Sequence, residues 1–309
     1  MALKQVIEIY ELLDDARVSG KDVVNLFKDR GFTGVISDRV QGEKGKTDFI
    51  RLAISGSHGI SKGGKAPSLG VIGRLGGVGA RPERLGLVSD ADGAISALAM
   101  GLKLVEMQKK GDTLRGDVIV TTHICPTAPT LPHEPVPFMG SPVDIHMMNH
   151  KEVDGAMEAI LSFDTTKGNR ILNHRGFAIS PTVKEGWILR VSEDLLDIMS
   201  WVTGRLPVVL PITTQDITPY GNEIYHLNSI LQPAVATDAP VVGVAITTEV
   251  PVPGCGTGAS HMVDIELAVR FGLEVAKAFG EGKCRFYDAG EFSRLTALYG
   301  SMKHLCKLP

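Results

Sequence analysis

Cysteine is sparse. The chain has four in 309 residues, Cys125, Cys255, Cys284 and Cys306, with no CxxC pair and no framework spacing. That excludes a disulfide-stapled scaffold and fits a reduced, cytoplasmic compartment. Aromatic residues make up 6% of the chain, and 32 basic side chains nearly balance 35 acidic ones for a net charge of −3. Such a balance excludes a bulk electrostatic grip on nucleic acid or on an anionic membrane. No apolar run approaches the roughly 20 residues that span a bilayer. The opening Met1-Ala2-Leu3-Lys4-Gln5 has no signal-peptide core. Internal repeats and low-complexity segments are absent as well.

What is present suits a packed α/β protein. Hydrophobic residues reach 43%, enough for a sizeable core, and the 35 glycines gather in loops, as in a site built from close backbone turns. Strand and helix patterns alternate along the chain. They predict a single α/β domain over 1–309: a mixed, mostly parallel sheet with helices on both faces.

An N-terminal helical segment, 1–31, holds amphipathic helices over 3–14 and 20–30, with Ser19 as N-cap and Gly31 as stop. Strands are expected over 32–37, 47–55, 117–122, 158–163, 176–181, 187–191, 206–213 and 240–247. Helices are expected over 94–110, 192–203, 221–231, 260–279 and 291–303. Residues 126–142 carry six prolines, which rules out helix or central strand and predicts a rigid covering loop. Residues 141–148 read as a strand with Asp144 and His146 on one side.

The stretch 86–125 organises the rest. Ser89-Asp90-Ala91-Asp92-Gly93 puts two carboxylates at a helix start, where exposed N–H groups favour negative charge. The following strand ends in His123-Ile124-Cys125, so His123 and Cys125 share one side of an extended chain. Strand ends elsewhere present His58, Asp164 and His261. Ligands of open α/β sheets gather beyond the carboxyl ends of the strands, and these residue types suit Zn²⁺ or a similar ion. Gly59-Ile60-Ser61-Lys62-Gly63-Gly64-Lys65 has phosphate-loop spacing, but Ala66 stands where a Ser or Thr is needed and Pro67 blocks the helix. Residues 73–79 read as a twisted hairpin or bulged loop.

The order of these motifs resembles the di-zinc exopeptidase and deacylase fold of glutamyl and tetrahedral aminopeptidases and acetylornithine deacetylase. Asp90-Ala91-Asp92-Gly93 looks like that family's metal-bridging turn, and His58 stands where its first His would lie. Asp164 is similar to a later Asp ligand, His261 to the last His, and Gly221-Asn222-Glu223 to a Gly-Thr-Asp turn near the metals. The likeness covers roughly 48–279 and implies a phosphorylase/hydrolase-like, zinc exopeptidase-like fold. Two features depart from it. The family's Glu-Glu, general base and metal ligand, is missing where this chain has Thr122-His123-Ile124-Cys125-Pro126, and its His-x-Asp is broken at His58-Gly59-Ile60. The runs GRLGGVGARPERLGLVSDADGA and THICPTAPTLPHEPVPFMGSPVDIH more closely resemble a family of bacterial and archaeal proteins of about this length, a resemblance that supplies no activity.

Three functions follow as expectations. The first is a metal-dependent hydrolase of a small amide, peptide or acylated amino acid. One or two divalent ions, Zn²⁺ foremost, would sit on His58, Asp90, Asp92, Asp164 and His261, and His123 or Glu134 would move the proton. Arg81 would clamp a substrate carboxylate, with His146, Asn222 and Glu223 also facing substrate. The second is a metal-free enzyme with Cys125 as nucleophile, activated by His123 or His146. The third is a non-catalytic binding or assembly relative. Each implies a small-molecule or peptide partner and a homo-oligomer, with no nucleic acid and no membrane.

Overall fold

The runs richest in Val and Ile become the strands at the centre of the molecule. The computed structural model describes residues 1–133, 137–167, 171–249, 256 and 259–307. Its chain begins with helices α1 (Leu3–Leu13) and α2 (Gly20–Asp29), then strands β1 (Val35–Gly42), β2 (Gly45–Ile54) and β3 (Leu69–Gly73). Helix α3 (Asp92–Lys109), strand β4 (Val118–Ile124), short strands β5 (Thr130–Leu131) and β6 (Phe138–Met139), and helix α4 (Ile145–Glu152) follow. Strands β7 (Ala159–Thr165), β8 (Gly176–Ile179), β9 (Val183–Lys184) and β10 (Trp187–Ile188) precede helix α5 (Glu193–Thr203). Strand β11 (Val241–Thr247) and helices α6 (Met262–Gly280) and α7 (Ala289–Tyr299) complete the series.

Nine of these strands form one sheet, ordered β1-β2-β4-β3-β7-β11-β9-β10, with β8 also paired to β11. The central four, β4, β3, β7 and β11, are mutually parallel. The flanks β1, β2, β8, β9 and β10 are antiparallel. The fold is therefore mixed α/β, as the alternating pattern predicts.

Period-two alternation decides the two faces. Leu69, Val71, Val118, Val120, Leu161, Phe163, Val242 and Val244 pack into the cluster that contains the apolar faces of α1, α3 and α6. Ile72, Ile119, Ile160 and Ala245 point the other way, towards Ile217, Ile230 and Leu231. Each such fully buried aliphatic side chain contributes about 1.5–3 kcal/mol. Helix α3 is buried almost all round, which its Ala- and Gly-rich sequence permits. A Cβ on Gly93 would lie 2.6 Å from the carbonyl oxygens of both Arg74 and Phe163. Glycine there lets the first turn of α3 rest directly on the ends of β3 and β7.

Helices α2 and α5 are capped as their sequences predict. Ser19 and Asp22 form a capping box on α2. The Ser192 hydroxyl accepts from the Leu195 N–H at the start of α5, and Gly204 ends that helix at φ 67°.

Three expected elements are corrected. Residues 141–148 are not a strand: Asp144 caps α4 by accepting from the Met147 N–H at 2.8 Å. The pattern over 221–231 is not a helix, because the Asn222 side chain accepts from the Ile224 N–H and Glu223 takes φ 64°, so the chain turns at once. The strand expected over 206–213 reduces to one bridge, Ile179 to Val209. Within 126–142, β5 and β6 pair with each other. Among the described residues no helix is long and apolar enough to cross a membrane.

Candidate functional site at the carboxyl edge of the sheet

Parallel strands direct their carboxyl ends to one edge, and α3 and α6 begin there. That edge gathers Arg74 after β3, His123 near the end of β4, Asp164 in β7, Asp92 at the start of α3 and Asp264 in the first turn of α6. His58 does not join them. Strand β2 runs antiparallel to β4, with Ile54 opposite Val118, so the residues after β2 emerge at the amino edge. There the His58 N–H donates to the Arg115 carbonyl at 3.0 Å. The expected first metal ligand lies at the wrong end of the sheet.

The first cluster is built around Arg74, which is 0% exposed. Its Nη1 donates to Glu152 Oε2 at 2.6 Å and to Asn149 Oδ1 at 3.3 Å, both from α4. The other Glu152 oxygen accepts from His123 Nδ1. His123 Nε2 accepts from the Gly76 N–H at 3.2 Å, which fixes the ring as the Nδ1–H tautomer. Burial opposes the Glu152 charge, but the Arg74 and His123 side chains outweigh it and hold its pKa below the usual range. Both nitrogens of His123 are thus engaged inside the protein. It is a structural histidine, not the expected proton shuttle. Leu75, between Arg74 and Gly76, is held at φ 52°, a left-handed conformation that costs a non-glycine residue about 1–2 kcal/mol.

The second cluster centres on Asp92, 0% exposed. The ammonium of Lys167, whose side chain is 1% exposed, lies 3.1 Å from Asp92 Oδ2. Ser260 donates to Asp92 Oδ1. Burial raises the Asp92 pKa against the opposing pull of Lys167 and Ser260. Asp264 lies close enough to raise it further, and its own pKa is raised by burial. Asp264 pairs with His261 Nδ1 at 3.3 Å and with Arg175 at 3.8 Å. His261 therefore reaches the cluster only through Asp264, with its side chain 53% exposed. Asp164 accepts from the Thr165 N–H and from Ser229 Oγ, each at 2.7 Å, and burial pushes its pKa up to about 6.

The remaining expected residues are placed as follows. Asp90 is buried in the turn before α3, its Oδ2 against Gly77. Cys125 is 2% exposed, its thiol donates to the Lys46 carbonyl, and burial pushes its pKa up, which is the reverse of an activated nucleophile. Arg81 is a structural clamp: Nη1 donates to the Pro126 carbonyl and Nη2 to the Asp14 carbonyl. His146 stands exposed on α4 and lines a separate cavity with Asn149 and His150. Asn222 and Glu223 form the surface turn described above. Glu134 lies outside the described residues.

The resemblance implies a metal on these carboxylates, and their partners test the fit. Asp92 faces an ammonium at ion-pair distance, Asp164 is held by a hydroxyl and an amide, and His261 is bound to Asp264. Among the described residues no group of three or more His, Cys, Asp or Glu side chains is arranged to hold a metal ion. The donor set does not fit a zinc centre.

Sequence reasoning missed Arg74, Glu152, Asn149, Lys167 and Asp264. Two signals were available: an arginine alone in the apolar, glycine-rich GVIGRLGGVG, and a lysine three residues after Asp164 at a strand end.

Comparison with solved structures finds a similar fold in the crystal structure of glutaminyl cyclase from an Acidobacteriales bacterium. The TM-score is 0.52 and the identity 12%, over 91% of this chain and 94% of that one. At that identity the likeness concerns fold alone. No curated protein matches. The family model described as "Protein of unknown function (DUF1177)" matches residues 38–308, and the chain belongs to the DUF1177 family.

Proposed function

We propose that this chain is a binding protein for a small molecule or short peptide, built on a zinc-exopeptidase-like fold in which a lysine ammonium takes the place of the catalytic cation. The contact between Lys167 Nζ and Asp92 Oδ2, 3.1 Å with both groups buried, carries the reading. Asp92 belongs to the turn that the aminopeptidase resemblance marks as metal-bridging. A buried charge needs a counter-charge, and here the chain supplies its own. The missing Glu-Glu and the inward bonding of His123 support the same reading, because the first removes the family's general base and the second occupies the histidine that stands in its place. Chelator treatment tests it: stability and ligand binding should be unchanged, whereas loss of either with EDTA, restored by Zn²⁺, would overturn it.

One observation favours a metal-dependent hydrolase of small amides, peptides or acylated amino acids as a second reading. Asp92, Asp164 and Asp264 are all buried at this edge, a surplus over the one carboxylate that Lys167 faces. On that reading a divalent ion, one or two Zn²⁺, would balance the surplus. On the first reading Lys167 meets the Asp92 charge, the raised pKa of Asp264 allows a proton there, and Asp164, at about 6, stays ionised at neutral pH for a cationic ligand group to meet.

The homo-oligomer remains part of the proposal, supported by Trp201 and Leu206, which are 76% and 87% exposed. A monomer by multi-angle light scattering would remove it. A cytoplasmic setting is supported by the free thiols of Cys125 and Cys284, and cell fractionation tests it.

A further inference from the structure

Arg74 uses only one end of its guanidinium within the protein. Nη1 is taken by Glu152 and Asn149. Nε and Nη2, whose N–H bonds run side by side along the other edge of the plane, meet no acceptor among the described residues, although both are buried. A pair of parallel N–H donors matches the two oxygens of a carboxylate. The fork is also held rigid from behind. Glu152 bridges Arg74 to His123, and the Gly76 N–H pins His123 in turn. Such a supporting shell orients a binding group and removes the entropy of ordering it when ligand arrives.

Charge narrows the ligand class. Glu152 already balances Arg74 and Lys167 faces Asp92, so Asp164 leaves this edge with surplus negative charge, and Asp164 lies close enough to Arg74 to feel its field. A bare anion would add to that surplus, whereas a ligand carrying an ammonium beside its carboxylate would not. Asn149, which meets the occupied Nη1 end of Arg74, also lines a neighbouring cavity of about 300 Å³ with His146, His150 and Pro219. Its Nδ2 is buried and meets no acceptor among the described residues. That volume lies at the small end of ligand cavities.

We infer that Arg74 Nε and Nη2 bind the carboxylate of a zwitterionic amino acid or short peptide. The inference deepens the binding-protein reading and rests on it only for the class of ligand. The test is calorimetry on the full chain with glycine, leucine and glutamate, their amides, and acetate. At least one amino acid binds; its amide, which loses the charged bidentate pair, and acetate, which loses the ammonium, each bind roughly 10–100-fold more weakly. Arg74→Lys, which keeps a cation for Glu152 but loses the fork, weakens the amino acid by a similar factor. Should that variant fail to fold by circular dichroism, the comparison of acid, amide and acetate on the unaltered protein decides alone. No binding by any amino acid, or equal binding of acid and amide or of acid and acetate, overturns the inference. Bound zinc or hydrolysis of the amides would instead overturn the metal-free reading and leave the Arg74 comparison intact.

Discussion

Replacing Asp164 with asparagine isolates the electrostatic cost of the buried edge. The folded carboxyl titrates at about 6 against an ordinary 3.8. Below the lower value both folded and unfolded chains hold the proton, and above the upper value neither does. Between them the folded chain binds more protons, so this group's contribution to stability falls as pH rises. At pH of about 4.5 the penalty for ionising Asp164 in the fold is about 1 kcal/mol, and at pH of about 7.5 it is about 3 kcal/mol. Asparagine keeps an acceptor for the Thr165 N–H and a partner for Ser229 but carries no charge. Wild type should therefore lose about 2 kcal/mol relative to Asp164→Asn between those two pH values. The raised pKa values of Asp92 and Asp264 act in the same direction but are common to both proteins and largely cancel. Urea denaturation followed by circular dichroism measures the difference. A gap between the two proteins that stays constant with pH, or one that moves in favour of wild type as pH rises, would refute the assignment.

Glu152→Gln leaves the Arg74 guanidinium buried without its counter-charge and should cost about 3–5 kcal/mol, read from the urea midpoint; a change below about 0.5 kcal/mol would mean the pair is not buried as described. Lys167→Met should destabilise by a similar amount, and adding Asp92→Asn to the same chain should recover most of it, because the two groups balance each other. Purely additive losses in that cycle would contradict the pairing. Cys125 should react with iodoacetamide at neutral pH only as fast as the protein opens, as mass spectrometry of a labelling time course would show. Rapid labelling of Cys125 in folded protein would restore it as a nucleophile.

Local chemistry was readable because it is written in adjacent residues. Ser192 and Gly204 bracket α5, Ser19 and Asp22 box the start of α2, and the β-branched runs around Val120, Leu161 and Val244 became the central parallel strands. Long-range facts were not readable. Nothing in residues 45–54 says that β2 runs against β4, and that reversal alone carries His58 to the far edge. Whether Asp92 meets a metal or an ammonium depends on Lys167, 75 positions away, which no local spacing connects to it. His123 was expected to move the proton because it stands where the resembling family has its Glu-Glu, and only the fold brings Glu152 and Gly76 to occupy both of its nitrogens. Residues 221–231 misled for a different reason. Their apolar spacing is helical, but the Asn222 turn and the backbone of Glu223 pre-empt the helix.

Metal content tests the exchange of a lysine for a catalytic cation most directly. Protein purified without chelator, buffer-exchanged and measured by elemental analysis should carry less than about 0.2 divalent ions per chain. One or more zinc ions per chain, retained through exchange, would contradict it.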